Sequence, residues 1–229
     1  MSRQQRGSSA GKRGKRREDG GNRRASAFET WEPRTRLGRQ IKRGEITSIE
    51  EVFASNMKIQ DIEVVDFLCP GLEETVLDVK RVQRQTDAGR KTAFQAIAAV
   101  GNKNGLIGVA SGKDVGMGTA IRNAIRNAKL ALAPIKRGCG SWECACTTDV
   151  HSIPFSTKGQ CASVKVTLLP APRGLGLVTG DAAKKVLDLA GVKDCWSNSL
   201  GDTRTTANYV KAVFDALKAT YHMQDPSEW

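Results

Sequence analysis

Long apolar runs are missing from this sequence. No stretch approaches the roughly 18 uninterrupted apolar residues of a membrane-spanning helix. The N-terminus is basic and lacks the apolar core of a secretory leader. A cytoplasmic chain with reduced cysteines is therefore expected. Histidine is scarce: only His151 and His222 occur. No H-E-x-x-H, G-x-S-x-G or paired-carboxylate motif stands out, so catalysis is not expected. Aromatic residues make up 5% of the chain, too few for binding that rests on stacking unpaired bases. Acids are outnumbered, leaving a formal net charge of +12. That excess calls for a polyanionic partner. Nucleic acid fits better than a membrane, because no strongly amphipathic basic helix carries bulky aromatic residues.

What is present begins with a tail. Residues 1–27 are Gly, Ser, Arg and Lys with almost no apolar side chains, a composition that cannot bury a core. Its charge suits contact with phosphates. The sign then reverses: from Glu45 to Asp78 there are nine acids and one lysine, Lys58. Such a stretch suits a solvated face or a basic neighbouring protein. Within it, Ser48 and Glu51 have capping-box spacing ahead of Ile49, Val52 and Phe53, which predicts a short helix.

Three strand-like segments follow at 75–85, 92–101 and 106–112, separated by the turn sequences TDAGRK and NKNG. Short turns imply an antiparallel meander. A helix is expected over 117–132, its apolar stripe formed by Ala120, Ile121, Ala124, Ile125 and Ala128. Arg122, Arg126 and Lys129 form a second, basic stripe at i, i+4 and i+7. The order helix, three strands, helix is that of a double-stranded-RNA-binding-domain-like αβββα unit. Residues 28–135 are assigned to that unit and its leading helix. Residues 136–160 form a Cys-containing, irregular connector, and 161–229 a second α+β domain. The latter should hold a strand over 162–171, a turn at PAPRGLG, and a helix capped by Asp181 and stopped by Gly191. A last helix should carry Ala207, Val210, Phe214, Leu217 and Tyr221 on one face.

The glycine-rich stretch before the 117–132 helix invites comparison with a phosphate-binding loop. Gly112 and Lys113 are followed by Asp114, however, where such a loop needs a hydroxyl for magnesium, and Gly105 and Gly108 are wrongly spaced. Gly105, Gly108, Gly112, Gly116 and Gly118 are instead expected to let an RNA backbone come close. Lys113 and the amides opening the helix would then donate to phosphate.

Cys139, Cys144, Cys146 and His151 form C-x4-C-x-C-x4-H. Four nitrogen and sulfur ligands could wrap one zinc ion. The spacing differs from paired C-x2-C knuckles, and Cys161 could replace His151. The other reading is a set of reduced cysteines in a packed loop. Cys69 and Cys195 are expected to be buried as small hydrophobes.

The segments FQAIAAVGNKNGLIGVASGKDVGMGTAIRNAIRNAK and VTLLPAPRGLGLVTGDAAKKVLDLAGVKDCWSNSLGDTRTTANYVKAVFDAL resemble the two signatures of the universal small-subunit ribosomal protein S-five family. RGCGSWECAC is similar to its archaeal branch, related to the eukaryotic protein S-two. The resemblance implies a C-terminal βαβα unit with a left-handed crossover, contrary to the usual hand. It implies a structural constituent of the small ribosomal subunit, in contact with small-subunit rRNA, near the channel by which mRNA enters. The neighbours it implies are ribosomal proteins S-four and S-eight, and its role would be in assembly and decoding fidelity. Not a homo-oligomer is expected, but one copy in a larger particle. The RNA-binding residues expected are Lys80, Arg81, Arg84, Arg90, Lys91, Lys113, Arg122, Arg126, Lys129, Lys136, Arg137 and Arg173. A free RNA-binding regulatory protein is the alternative function. In either case contacts should be mostly to phosphate and sugar.

Overall fold

A computed structural model describes residues 31–146 and 150–222. The expected basic tail at 1–27 lies outside them. Helices α1 (Arg36–Arg43), α2 (Ile49–Ala54) and α3 (Ile62–Leu68) come first. Then follow strands β1 (Glu73–Thr86), β2 (Gly89–Gly101) and β3 (Leu106–Asp114), helix α4 (Met117–Leu130) and strand β4 (Leu132–Pro134). The second half holds β5 (Thr157–Cys161), β6 (Val164–Pro170), β7 (Leu177–Val178), α5 (Asp181–Ala190), β8 (Cys195–Leu200) and α6 (Thr206–Ala219). A 3-10 turn, Thr220–His222, ends the described chain.

Only α2 of the first three helices is evident from spacing. Ser48 Oγ accepts from the Glu51 amide at 3.4 Å, as a capping box requires. The return bond lands one residue earlier, from the Thr47 amide to Glu51 Oε2 at 3.1 Å. The unexpected α1 is held by its ends. Thr35 Oγ1 accepts from the Gly38 amide at 3.1 Å and donates to Asp61 Oδ2 at 2.7 Å. Gly44, at φ 78°, closes the other end in the left-handed conformation. Leu37, Ile41, Ile49, Val52, Val64 and Val65 bury a small core against Leu106 and Leu132 of the sheet.

The first sheet runs β1-β2-β3-β4 and is antiparallel throughout. Its strands are longer than expected at the β1–β2 end, where Thr86 pairs with Gly89 and leaves Asp87 and Ala88 as the turn. β3 stops at Asp114, opposite Phe94. Residues 82–93 therefore project as a two-stranded ribbon. Strand alternation assigns the faces. Val79, Phe94, Ala96 and Ala98 pack with Ala120 and Ala124 of α4. Ile97, Ala99, Ile107 and Val109, on the opposite face, join the core of the second half.

That second sheet has the order β5-β6-β8-β7, with β7 and β8 parallel and the other pairs antiparallel. Helix α5 makes the βαβ crossover from β7 to β8. Val164, Val166, Leu168, Val186, Leu187, Val210, Val213 and Leu217 are buried where α5 and α6 meet the sheet. One apolar core thus runs from the first sheet into the second. The two-layer α+β architecture is as expected, with differences in detail. β4 takes the place of the end expected of the 117–132 helix and the residues after it, and β5 lies almost wholly inside the 136–160 stretch expected to be irregular. β8, not foreseen, reads CWSNSL and buries only Cys195 fully. Gly180, not Asp181, is the N-cap of α5, while Gly191 at φ 82° does stop it. Tyr221 is exposed and Cys69 only half-buried.

Candidate nucleic-acid interface and metal centre

The β-strand register sorts the basic residues by face. Lys80 lies opposite Gln95, and Gln95 opposite Lys113, so Lys80, Gln95 and Lys113 form one row across the sheet. Arg84 and Lys91, directly opposite each other, continue on that face. Arg81, opposite Phe94, and Arg90, opposite Gln85, lie on the other face, the one that α4 covers. The ribbon therefore carries exposed cations on both sides. Lys80 also pairs with Asp78 at 3.3 Å.

Arg122 and Arg126 are exposed on α4 beside a groove lined also by Ile62, Thr119 and Asn123. Arg122 Nε donates to the Gly118 carbonyl at 3.4 Å. Three expectations change here. First, Lys113 is on the sheet face opposite α4, so it does not continue the surface of Arg122 and Arg126. Second, Lys129 leaves the exposed stripe: its ammonium lies 2.9 Å from both Asp66 and Glu74, and its side chain is 13% exposed. Burial pulls its pKa down, but the hydrogen bonds to Asp66 and Glu74 outweigh that and hold it above the ordinary lysine value. Third, Gly108 and Gly112 do not leave room for RNA. A Cβ at either would strike the backbone of α4, at Ala128 and Ala124 respectively. They are small because a helix crosses them. Gly105, at φ 93°, is a turn residue facing the Ile135 carbonyl. Only Gly116 and Gly118 remain exposed at the helix opening. Asp114 binds the Val115 amide at 2.6 Å and Asn123 Nδ2 at 3.2 Å, which explains the acid after Lys113.

Arg137 has a structural use. It donates to the carbonyls of Lys103 at 3.4 Å and Gly191 at 3.2 Å and also to Asn104 Oδ1. It thereby ties the β2–β3 turn to the end of α5, and burial lowers its pKa. The Lys136 amide donates to Thr220 Oγ1 at 3.2 Å. Arg173 is exposed at the β6–β7 turn.

The four expected metal ligands converge. The Cys139, Cys144 and Cys146 sulfurs and a His151 ring nitrogen all lie within 4.8 Å of one another. Backbone bonds cause this. Gly138 and Ser152 exchange two bonds of 2.9 Å, and the Gly140 amide donates to the Ile153 carbonyl at 3.2 Å. A side chain at Gly140 would strike Pro154, so glycine is needed there. Cys161 lies on β5, outside the cluster.

His151 is buried, and its Nδ1 lies 2.8 Å from Asp194 Oδ2. A carboxylate only accepts, so Nδ1 carries the proton. Nε2 is left to face Cys144 at 3.5 Å and Cys146 at 3.3 Å. Tetrahedral zinc with ordinary bond lengths separates sulfur from nitrogen by about 3.5 Å and two sulfurs by about 3.8 Å. The sulfur–nitrogen distances match; the Cys144–Cys146 pair, at 3.0 Å, would have to open. Hydrogen bonds from the Cys146 thiol and backbone, then from the Arg173 amide, lower the Cys144 pKa to about 6. The same thiol pair pushes Cys146 up to about 12. A bound cation would favour the thiolate form of all three cysteines. The residues fit zinc. Asp194 is the member that spacing did not reveal, being 43 positions from His151.

Comparison with known proteins agrees along the chain. Residues 72–136 match the family model described as "Ribosomal protein S5, N-terminal domain". Residues 159–228 match "Ribosomal protein S5, C-terminal domain". Curated relatives named "Small ribosomal subunit protein uS5" include one from Thermofilum pendens, 54% identical over 87% of this chain and 98% of its own length. Another, from Pyrobaculum arsenaticum, is 55% identical over 85% and 96%. One from Aeropyrum pernix is 51% identical over 88% and 92%.

Proposed function

The chain belongs to the ribosomal protein S5 family, archaeal branch, and on that premise we propose that its β1–β2 ribbon and the exposed side of α4 hold ribosomal RNA. It is a structural constituent of the small ribosomal subunit and not an enzyme. It binds rRNA and other ribosomal proteins there. No helix among the described residues is long and apolar enough to cross a membrane.

The observation that carries the RNA assignment is the placement of Arg84 directly opposite Lys91, with Arg81 and Arg90 on the reverse side. Like charges in one cross-strand pair repel, and a ribbon charged on both faces has no core of its own to pack. Phosphate between the cations reverses the sign of that term. Arg122 and Arg126 form a second contact, reached from the α4 side. Each phosphate contact steepens the salt dependence of binding by roughly 0.7–0.9 log units per decade. Full-length protein carrying Arg84→Glu and Lys91→Glu should bind small-subunit rRNA with a slope shallower by about 1.4–1.8. An unchanged slope would remove the ribbon from the interface.

Two other surfaces suit proteins better than phosphate. One is the acidic segment from Glu45 to Asp78. The other is the outer face of the second sheet, where Leu169 and Val178 both pair with Trp196 and all three are exposed. These are the places for neighbours such as S-four and S-eight. A ribbon gripping RNA from both sides also suits the approach to the mRNA channel, where rigid placement would support assembly and decoding fidelity. Zinc at Cys139, Cys144, Cys146 and His151 would act as a structural ion, joining the two ends of the 138–153 loop. X-ray fluorescence of purified subunits should find that zinc, and mutation of two of the cysteines should remove one equivalent.

A further inference from the structure

The metal centre does not end at its four ligands. Asp194 is 5% exposed, and both of its carboxylate oxygens are used. Oδ2 accepts from His151 at 2.8 Å, while Oδ1 accepts from the amides of Gly174 at 3.2 Å and Gly176 at 2.8 Å. Those two glycines sit at φ 89° and φ 77°, so the turn between β6 and β7 depends on a left-handed backbone at both. A second link runs in parallel, because the Arg173 amide donates to the Cys144 sulfur. The neighbouring backbone is braced too: the amides of Lys193 and Asp194 donate to the His151 carbonyl at 2.9 and 3.1 Å. One turn is thus hydrogen-bonded to the partner of one ligand and to the sulfur of another.

We propose that Asp194 couples the metal centre to the turn at 172–176, so that the bound ion fixes where Arg173 is presented. This rests on the zinc reading above. Asp194 is a positioning residue: it holds the His151 ring with Nε2 towards the sulfurs and offers its other oxygen to the turn. Outer partners of this kind change metal affinity by about 10–100-fold when removed. Asp194→Asn is the informative substitution. Its amide oxygen can still accept from Gly174 and Gly176, but its NH2 group meets the His151 N–H donor to donor.

The test uses the full chain, zinc alone as probe, competition with a chromophoric chelator for affinity, and hydrogen exchange for the turn. Wild type should bind one zinc, and removing zinc should speed exchange at Gly174 and Gly176 at least tenfold. Asp194→Asn should weaken zinc binding about 10–100-fold. In a His151→Cys background, whose thiolate needs no orienting partner, adding Asp194→Asn should cost less than threefold. Zinc binding with no zinc-dependent exchange at the turn overturns the coupling alone. So does an equal loss from Asp194→Asn with and without His151→Cys. A wild-type chain that takes up no zinc overturns both the coupling and the zinc reading. Where Asp194→Asn fails to fold, the wild-type exchange comparison still stands as a test, because a turn whose exchange ignores zinc overturns the coupling.

Discussion

Lys129 and Arg126 sit three residues apart on one helix and have opposite uses. The sequence puts both on a basic stripe, since the spacing i, i+4, i+7 marks one side of a helix and says nothing of what stands beside it. Asp66 and Glu74 come from α3 and β1, 63 and 55 positions away along the chain, and tertiary packing alone brings them to the Lys129 ammonium. Lys129→Ala should therefore destabilise the isolated protein by about 1–3 kcal/mol, leaving two carboxylates face to face. Thermal unfolding would show this as a fall of about 2–4 °C per kcal/mol. Arg126→Ala should stay within about 0.5 kcal/mol of wild type and yet enter subunits less well than wild type in a competition for assembly. Equal incorporation of Arg126→Ala and wild type would count against the α4 surface. The cysteine cluster was legible as ligand spacing; its carboxylate partner Asp194 was not, because outer residues follow no local pattern.

Among elements, β1, β2, β3, α4, α5 and α6 were legible because their apolar periodicity is long. Helices α1 and α3 were not. RLGRQIKR is polar and contains glycine, while IEVVDFL carries adjacent valines that suit a strand equally well. β8 was missed because one buried residue in six makes no alternation. The glycines of β3 were recognised as close-approach positions, but the approaching backbone was misjudged: it is α4, not RNA. Gly112→Ala should push α4 off the sheet and cost at least about 2 kcal/mol. Gly118 lies in open space inside the first turn of α4. Gly118→Ala should keep or raise the stability of the isolated chain by up to about 1 kcal/mol. Chemical denaturation of the two variants side by side checks the contrast; equal midpoints would contradict this role for Gly112.

Across the whole molecule, the two sheets share a core that includes Ile97 and Val109 from one half and Leu187 and Val213 from the other. The sequence suggested two units joined by a connector, and nothing in composition could reveal that they pack through common side chains. Cooperative loss of both is expected: far-UV circular dichroism and tryptophan fluorescence should trace one unfolding transition. Two separated transitions would contradict a common core. On the outside, charge is distributed by sign, with cations on the ribbon and α4 and acids over α2 and α3. A cryo-EM map of the assembled small subunit tests that division most directly. RNA phosphates should lie within hydrogen-bonding reach of Arg84, Lys91, Arg122 and Arg126. The same four side chains pointing into open solvent, with rRNA held elsewhere on the protein, would contradict the assignment.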